Sequence, residues 1–357
     1  MSPSSPDTQP ARVLLLFGGD GAEREVSIAS ARSIASALTA ETLDLIPARW
    51  DEGGWVVLPD ADDLHRSGTV ERPLACLERL IRAGVEVVFN ALHGGPGEDG
   101  RLAALCELAG LPYTGAGVHA GAVTDDKSTF RTLAIGLGLE VAPGASIDAG
   151  AWFTRADEIL THVATDVGFP AIVKPVHGGS SCGVVKVEDA EGLAAALDRG
   201  FADSRELLVE RFIVGRELTV PCLGTRPGIP PETLPLIEIQ PKTESGFFDY
   251  EAKYVKGRAD EICPAPIEAD LAEHLGRTAR EIHLQLDLGG CSRTDLILSP
   301  DGPVWLETQT VPGFTETSLL PQAAAAAGIP FPTLCRRLID YAISAHLWRR
   351  SGEDHVA

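Results

Sequence analysis

Three oxygen-bearing side chains, Asp295, Glu307 and Gln309, stand on two apolar runs that flank a short turn. The runs are "SRTDLIL" and "PVWLETQT", and the turn between them is "SPDG". In a hairpin, inward polar positions of the two strands sit side by side. Glu307 and Gln309 are two residues apart, so on a strand they project from one face. Two carboxylates and an amide oxygen suit Mg²⁺, a hard ion that takes few protein ligands and fills its shell with water and phosphate. The plainer reading is a surface hairpin with solvated charges. Arg293 shares the face of Asp295 and adds a cation there.

A second group could handle phosphate. "HGGSSCG" (His177 to Gly183) lies between the β-rich runs "AIVKP" and "GVVKV". Glycines permit close backbone approach, and free N–H groups in such a loop cradle phosphate oxygens. The spacing is not GxxxxGK[ST] leading into a helix, so the geometry is that of a lid between strands. Lys174, inside the preceding apolar run, needs a partner; a phosphate is one candidate, and snorkelling to the surface is the alternative. Glu23, in "DGAEREVS", could hold an ammonium or simply favour the start of a helix. His93, in "HGGPGEDG", could belong to a site, while Glu98 and Asp99 could cap the next helix.

The elements that would position these residues are readable around them. "RVLLLF" reads as a buried strand, followed by Gly18–Gly19 and a helix with apolar spacing of three and four. "VEVVFNAL" repeats the pattern, and "LPYTG" reads as a further short strand. Strand–glycine loop–helix alternation predicts an open α/β unit with ligands at the carboxyl ends of its strands. Trp50 to Pro73 reads as a hairpin or surface excursion. Further on, "ELLVERFI", "GRELTVPCLG" and "TLPLIEIQ" read as strands, and a polar loop spans Thr243 to Arg258.

Composition narrows the function classes. The chain has 357 residues, 44% hydrophobic and 23% charged, which suits a multidomain globular protein. A net charge of −21 argues against a general nucleic-acid surface. No apolar run reaches the roughly 20 residues of a membrane span, and the N-terminus does not read as a signal peptide. Seven scattered cysteines without a CxxC pair point to reduced thiols in a cytoplasm.

Taken in order, eight blocks resemble the D-alanine–D-alanine ligase family of ATP-grasp enzymes. They are "FGGDGAEREVS", "LHGGPGEDG", "LPYTGAGVHAGAVTDDK", "FPAIVKPVHGGSSCGVVKV", "VERFIVGRELTV", "FFDYEAKY", "SRTDLIL" and "LETQTVPGFTETSLLP". The resemblance runs from about Arg12 to Ile343. It implies an α/β ATP-grasp fold of three domains, an N-terminal open parallel α/β domain and two α+β domains enclosing ATP. The expected divisions are 12–123, 124–216 and 217–349, with tails at 1–11 (flexible) and 350–357.

The resemblance also implies roles. Lys127, Lys174 and Lys253 would contact ATP, Ser180 and Ser181 would form its phosphate lid, and Glu210, Arg211, Phe212 and Ile213 the adenine hinge. Glu217 would meet the ribose. Glu23 would hold the first substrate's ammonium, with His93 near its carboxylate. Tyr254 would close over the site with Ser180 and Glu23, on the loop Thr243 to Arg258 acting as a lid. Arg293 and the Gly313 backbone would stabilise an oxyanion, and Ser318 and Leu319 would line the second-substrate pocket. Asp295, Glu307 and Gln309 would hold two Mg²⁺ ions, or Mn²⁺. The implied activity is ATP-dependent joining of two D-alanines for peptidoglycan synthesis, by a cytoplasmic homodimer paired through its N-terminal domain. The family usually reads Glu-x-Asn-Thr-x-Pro-Gly where this chain has Gln309. That departure keeps two alternatives open: a related ligase joining other amino acids, and a catalytically weak nucleotide-binding paralogue.

Overall fold

The computed structural model describes residues 12–40, 43–179, 182–242 and 259–353. Strand β1 (Arg12–Gly18) divides its side chains between two cores. Val13, Leu15 and Phe17 face one, and Leu14 and Leu16 face the other. Burial on both faces is what a central parallel strand requires. β1 accordingly pairs in parallel with β2 (Asp44–Asp51) and with β4 (Val87–Asn90). β3 (Gly54–Val57) turns back antiparallel on β2, giving the order β3-β2-β1-β4. Helix α1 (Arg24–Ala40) covers the first face; α2 (Pro73–Arg82) and α3 (Arg101–Leu108) cover the second. The loops after β1 and β4 therefore leave the same edge on either side of a change in strand order, where open α/β sheets bind ligands.

Two details differ from expectation. "LPYTG" contributes a single bridge, Val88 to Tyr113, and no strand. Pro112 lacks an N–H to extend the ladder, and Gly115 turns away at φ +105°. The excursion from Trp50 to Pro73 begins with the β2–β3 hairpin and continues as irregular loop.

The central sheet is antiparallel throughout, in the order β5-β8-β6-β7. Its strands are β5 (Gly144–Asp148), β6 (Ala171–Pro175), β7 (Val185–Val187) and β8 (Glu206–Arg211). α6 (Ala149–His162) and α7 (Ala190–Gly200) close a core of its own against this sheet. The "HGGSSCG" loop joins β6 to β7, as the strand–loop–strand reading requires, although Ser180 and Ser181 lie outside the described residues.

The third sheet runs β12-β11-β9-β13-β14, with β10 paired on β9. Its strands are β9 (Arg216–Leu223), β10 (Glu232–Thr233), β11 (Ile237–Pro241), β12 (Ala259–Ile262), β13 (Cys291–Ser299) and β14 (Gly302–Gln309). Helix α8 (Ala269–Leu286) places Leu275, Ala279, Ile282 and Leu286 on one side at helical spacing, against Leu218, Val220 and Leu296. The same core receives α4 (Val118–Asp125) and α5 (Lys127–Gly136) through Ala120, Phe130 and Ala134. Helices α9 (Leu319–Ala326) and α10 (Phe331–Glu353) take the other face and pack at the same time on α1 and β1. α10 continues through Glu353, past the expected boundary at 349, with Arg350 in its last turn, where a cation complements the helix dipole. The expected tail 1–11 and the loop 243–258, with Lys253 and Tyr254, lie outside the described residues. Among the described residues no helix is long and apolar enough to cross a membrane.

Candidate active site

The hairpin that opened the sequence analysis is β13–β14. Asp295 is paired across it with Glu307, Arg293 with Gln309, and Thr294 with Thr308. The register shifts between Asp295 and Leu296, so that Leu296 faces Trp305 and Leu306 is an extra residue. A bulge of this kind re-aims side chains. It lets Trp305 enter the core while Leu306 and Glu307 both line the neighbouring cavity. Asp295 accepts from Thr219 Oγ1 and from Arg293 through Nε (2.9 Å) and Nη2 (2.7 Å). Gln309 Nε2 lies 3.2 Å from Glu307 Oε1. The donor set is hard oxygen from two carboxylates and an amide, which fits Mg²⁺ completing its shell with phosphate and water.

That cavity, about 510 Å³, separates the central sheet from the third sheet and is of nucleotide size. Lys127, Lys174, Glu210 to Ile213, Glu217, Asp295 and Glu307 all line it, so the described residues assigned to ATP and metal converge on one space, except Gln309, which is not in its lining. Lys174 does not snorkel outward: its Nζ lies 2.6 Å from Glu210 Oε2, with both side chains largely buried. Lys127 Nζ donates to Gly178 O at the start of the lid and lies 3.7 Å from Glu307 Oε2. Arg216 grips Glu238 at the cavity wall with two bonds (2.7 and 2.8 Å), which hold that carboxyl below the usual range.

A second set gathers at the carboxyl edge of the N-terminal sheet. The Glu23 carboxylate is so close to two glycines that a Cβ on Gly94 would meet its Oε2 at 2.7 Å, and one on Gly179 its Oε1 at 3.1 Å. His93 is buried, with Nε2 3.0 Å from Ser30 Oγ and Nδ1 3.1 Å from Val311 O. Ser30 Oγ also accepts the Phe314 N–H at 3.1 Å, which ties the loop after β14 to α1. Ser318 Oγ accepts from Thr315 N (3.1 Å) and would lie 2.8 Å from a Cβ on Gly313, so a larger residue there would displace the hydroxyl. Leu319 is buried behind it. Glu23, His93, Gly313, Ser318 and Leu319 are thus brought to one region, and Gly179 of the lid reaches the same carboxylate.

Sequence reasoning missed two participants. Asp99, one residue before the N-cap Gly100, accepts the Arg101 N–H at the start of α3, but Glu98 turns back, accepts the Gly94 N–H at 2.9 Å and lies 3.7 Å from His93 Nδ1. Burial pushes its carboxyl above the usual carboxylate range, His93 pulls it back, and the Glu23 charge pushes it further up. The second is Arg131, whose Nη1 lies 3.1 Å from Glu210 Oε1. Its position four residues after Lys127 on a helix was the available signal.

An antiparallel sheet with a glycine lid, facing a carboxylate hairpin across a nucleotide-sized cavity and attached to an open α/β unit, defines the three-domain ATP-grasp class of ligases. Family models described as D-ala D-ala ligase N-terminus and D-ala D-ala ligase C-terminus match residues 12–116 and 133–340. A D-alanine–D-alanine ligase from Syntrophobacter fumaroxidans is 40% identical over 94% of this chain and 99% of its own length. One from Geobacter sulfurreducens is 36% identical, over 94% of each chain. The solved structure of the Bacillus anthracis D-alanine–D-alanine ligase complexed with ATP superposes with a TM-score of 0.75, at 25% identity, over 96% of this chain and 100% of that one. The chain belongs to the D-alanine–D-alanine ligase family.

Proposed function

We propose that this protein joins two D-alanines into D-alanyl-D-alanine for peptidoglycan precursor synthesis, with cleavage of ATP to ADP and phosphate. The observation that carries the reading is the close approach of the Glu23 carboxylate to both Gly94 and Gly179. It sets a carboxylate able to hold a substrate ammonium against the lid of the phosphate cavity. A carboxylate is a poor electrophile, so an oxygen of the first D-alanine attacks the γ-phosphorus, ADP leaves, and an acyl phosphate forms. The amine of the second D-alanine then attacks the acyl carbon, phosphate departs with the C–O bonding pair, and the amine loses its proton.

The chain's own residues serve these steps. Lys127 and Lys174 bind and orient the phosphates, and Glu23 and His93 hold the first D-alanine. Arg293, fixed in orientation by its two bonds to Asp295, acts with the Gly313 N–H on the developing oxyanion, each such donor contributing roughly 3–4 kcal/mol. Ser318 and Leu319 receive the second D-alanine. Asp295, Glu307 and the Gln309 amide would hold Mg²⁺, or Mn²⁺, which supplies charge neutralisation at the transferring phosphoryl group. Each carboxylate oxygen has two lone pairs, so Asp295 would have acceptor capacity for a metal beside its bonds to Arg293. The proposed setting is the cytoplasm and the proposed assembly a homodimer paired through the N-terminal unit, as the family resemblance implies.

The test is Mg²⁺-dependent ADP release with D-alanine, L-alanine, D-serine or D-lactate, with product mass read from the same reaction. Stimulation by D-alanine and a dipeptide mass are expected. Turnover that responds only to another amino acid would overturn the substrate assignment. Gln309→Asn keeps the amide oxygen on a shorter arm; a change in turnover of less than about threefold is expected, whereas a rise of about 100-fold would mark the natural chain as a weak catalyst.

A further inference from the structure

Helix α5 carries two cations one turn apart: Lys127 lines the cavity, and Arg131 reaches Glu210 in its wall. Lys127 points to Glu307 of β14 and to the lid carbonyl of Gly178. Arg131 points to Glu210 at the end of β8. Glu210 is buried and divides its two oxygens, Oε1 to Arg131 at 3.1 Å and Oε2 to Lys174 at 2.6 Å. The three side chains are 15%, 8% and 12% exposed for Arg131, Glu210 and Lys174, so water screens this triad weakly. α5 belongs to the core of the third sheet, whereas Glu210 and Lys174 belong to the central sheet. The triad therefore crosses from one body to the other.

We infer that Arg131 is a positioning residue for nucleotide phosphate binding, acting through Glu210 on Lys174; this rests on the assignment of the cavity to ATP. Glu210 and Lys174 alone would form a neutral buried pair, with both carboxylate oxygens available to draw the ammonium back from the cavity. Arg131 takes one oxygen. Glu210 then presents a single oxygen to Lys174, whose ammonium has three donors and keeps two for phosphate oxygens. Two cations share one carboxylate, so the group retains a unit positive charge that an arriving phosphate satisfies. A carboxylate shared across the two bodies also fixes how far Lys174 stands from the Lys127 side of the site.

The test measures binding of ADP and of adenosine by titration calorimetry to the full chain and its variants, with melting temperature followed alongside. Arg131→Met, of similar length and without charge, is expected to weaken ADP about tenfold and adenosine, which also meets Glu210 at the hinge, by about threefold at most. Arg131→Lys should recover ADP binding to within about threefold, because Arg131 makes a single N–H contact here and not a two-pronged one. In a Glu210→Gln background, Arg131→Met should add less than about twofold, since the route through Glu210 is already cut. Equal weakening of ADP and adenosine, no weakening of either, or an undiminished effect in the Glu210→Gln background would each overturn the inference. ADP binding without D-alanine-dependent turnover would instead overturn the reaction proposed above, and the same ADP-to-adenosine ratios would still decide the role of Arg131.

Discussion

The N-terminal and third sheets are joined by apolar packing, and the central sheet meets its neighbours largely through polar groups. One continuous core runs from Leu15 and Ile34 through Leu320 and Leu338 to Leu223 and Ile237, and Phe314 meets Phe89 edge-on at 5.7 Å. The core of the central sheet draws only on residues between Ala145 and Val209. Among the described residues its links outward include the Arg131–Glu210 pair, the His177–Asp125 contact at 2.8 Å, the Lys127 bonds to Gly178 O and Val176 O, the Ser128–Ser146 hydroxyl pair, and two chain crossings at 137–143 and 211–216. The crossings are themselves bonded, Arg211 N to Pro143 O at 2.8 Å. Apolar contact loses its driving force as soon as surfaces part, whereas ion pairs and hydrogen bonds are readily exchanged for water. The first junction therefore makes a rigid platform that holds the substrate and metal residues. The second rests on a few polar contacts, of which the Arg131–Glu210 pair is the most sheltered from water.

Core substitutions test this contrast most severely. Leu338→Ala in the shared core should destabilise the N-terminal and third sheets together by about 2–5 kcal/mol, with hydrogen exchange quickening in both. Leu193→Ala should quicken exchange in the central sheet alone. Exchange rising everywhere in both variants would mean that the polar junction couples the bodies as tightly as the apolar one.

Acid separates the two regions by another route. His283 in α8 is buried between Ser292 Oγ and Gly289 O, and burial lowers its pKa from 6.5 to about 4. The unfolded ring takes a proton below about pH 6.5 while the folded ring stays neutral, so stability falls as pH drops through that window, approaching about 3 kcal/mol near pH 4. In the central sheet the described histidines, His162 and His177, are exposed. Melting followed between pH 7 and 4.5 should show the platform weakening first, with His283→Gln flattening the decline. A central region that loosens at higher pH than the platform would reverse the ranking. The smallest effect is expected at the junction: His177→Asn removes a contact whose histidine is 63% exposed and should cost under about 1 kcal/mol while leaving the central core intact.

Much of this architecture could be read from local pattern. VLLLF needed only its unbroken apolar run to mark a strand buried on both faces, and the "SPDG" turn put Asp295 and Glu307 on the two strands of one hairpin, although its register alone would set Asp295 against Leu306. What escaped depended on partners far away in the chain. Glu210 as the partner of Lys174, and Arg131 as the partner of Glu210, follow from strand register and helix docking. No window of sequence contains them. Glu98 looked like a cap because it stands with Asp99 just before α3. The bulge at Leu306 leaves no local mark, since an extra residue in a strand is apparent only against the strand it faces.

The packing of α10 has a consequence for the order in which the chain acquires its structure. Val13, Leu15 and Phe17 share a core with Leu334, Leu338 and Ala342. A chain made from its N-terminus has already produced β1, α1 and β4 when those helix residues are still to be synthesised. One face of the first sheet must then wait, incompletely covered, until Leu334 to Ala342 have been made, and sheets exposed in this way invite aggregation. Leu334 to Ala342 therefore serve as the closing segment of the first domain as much as part of the last.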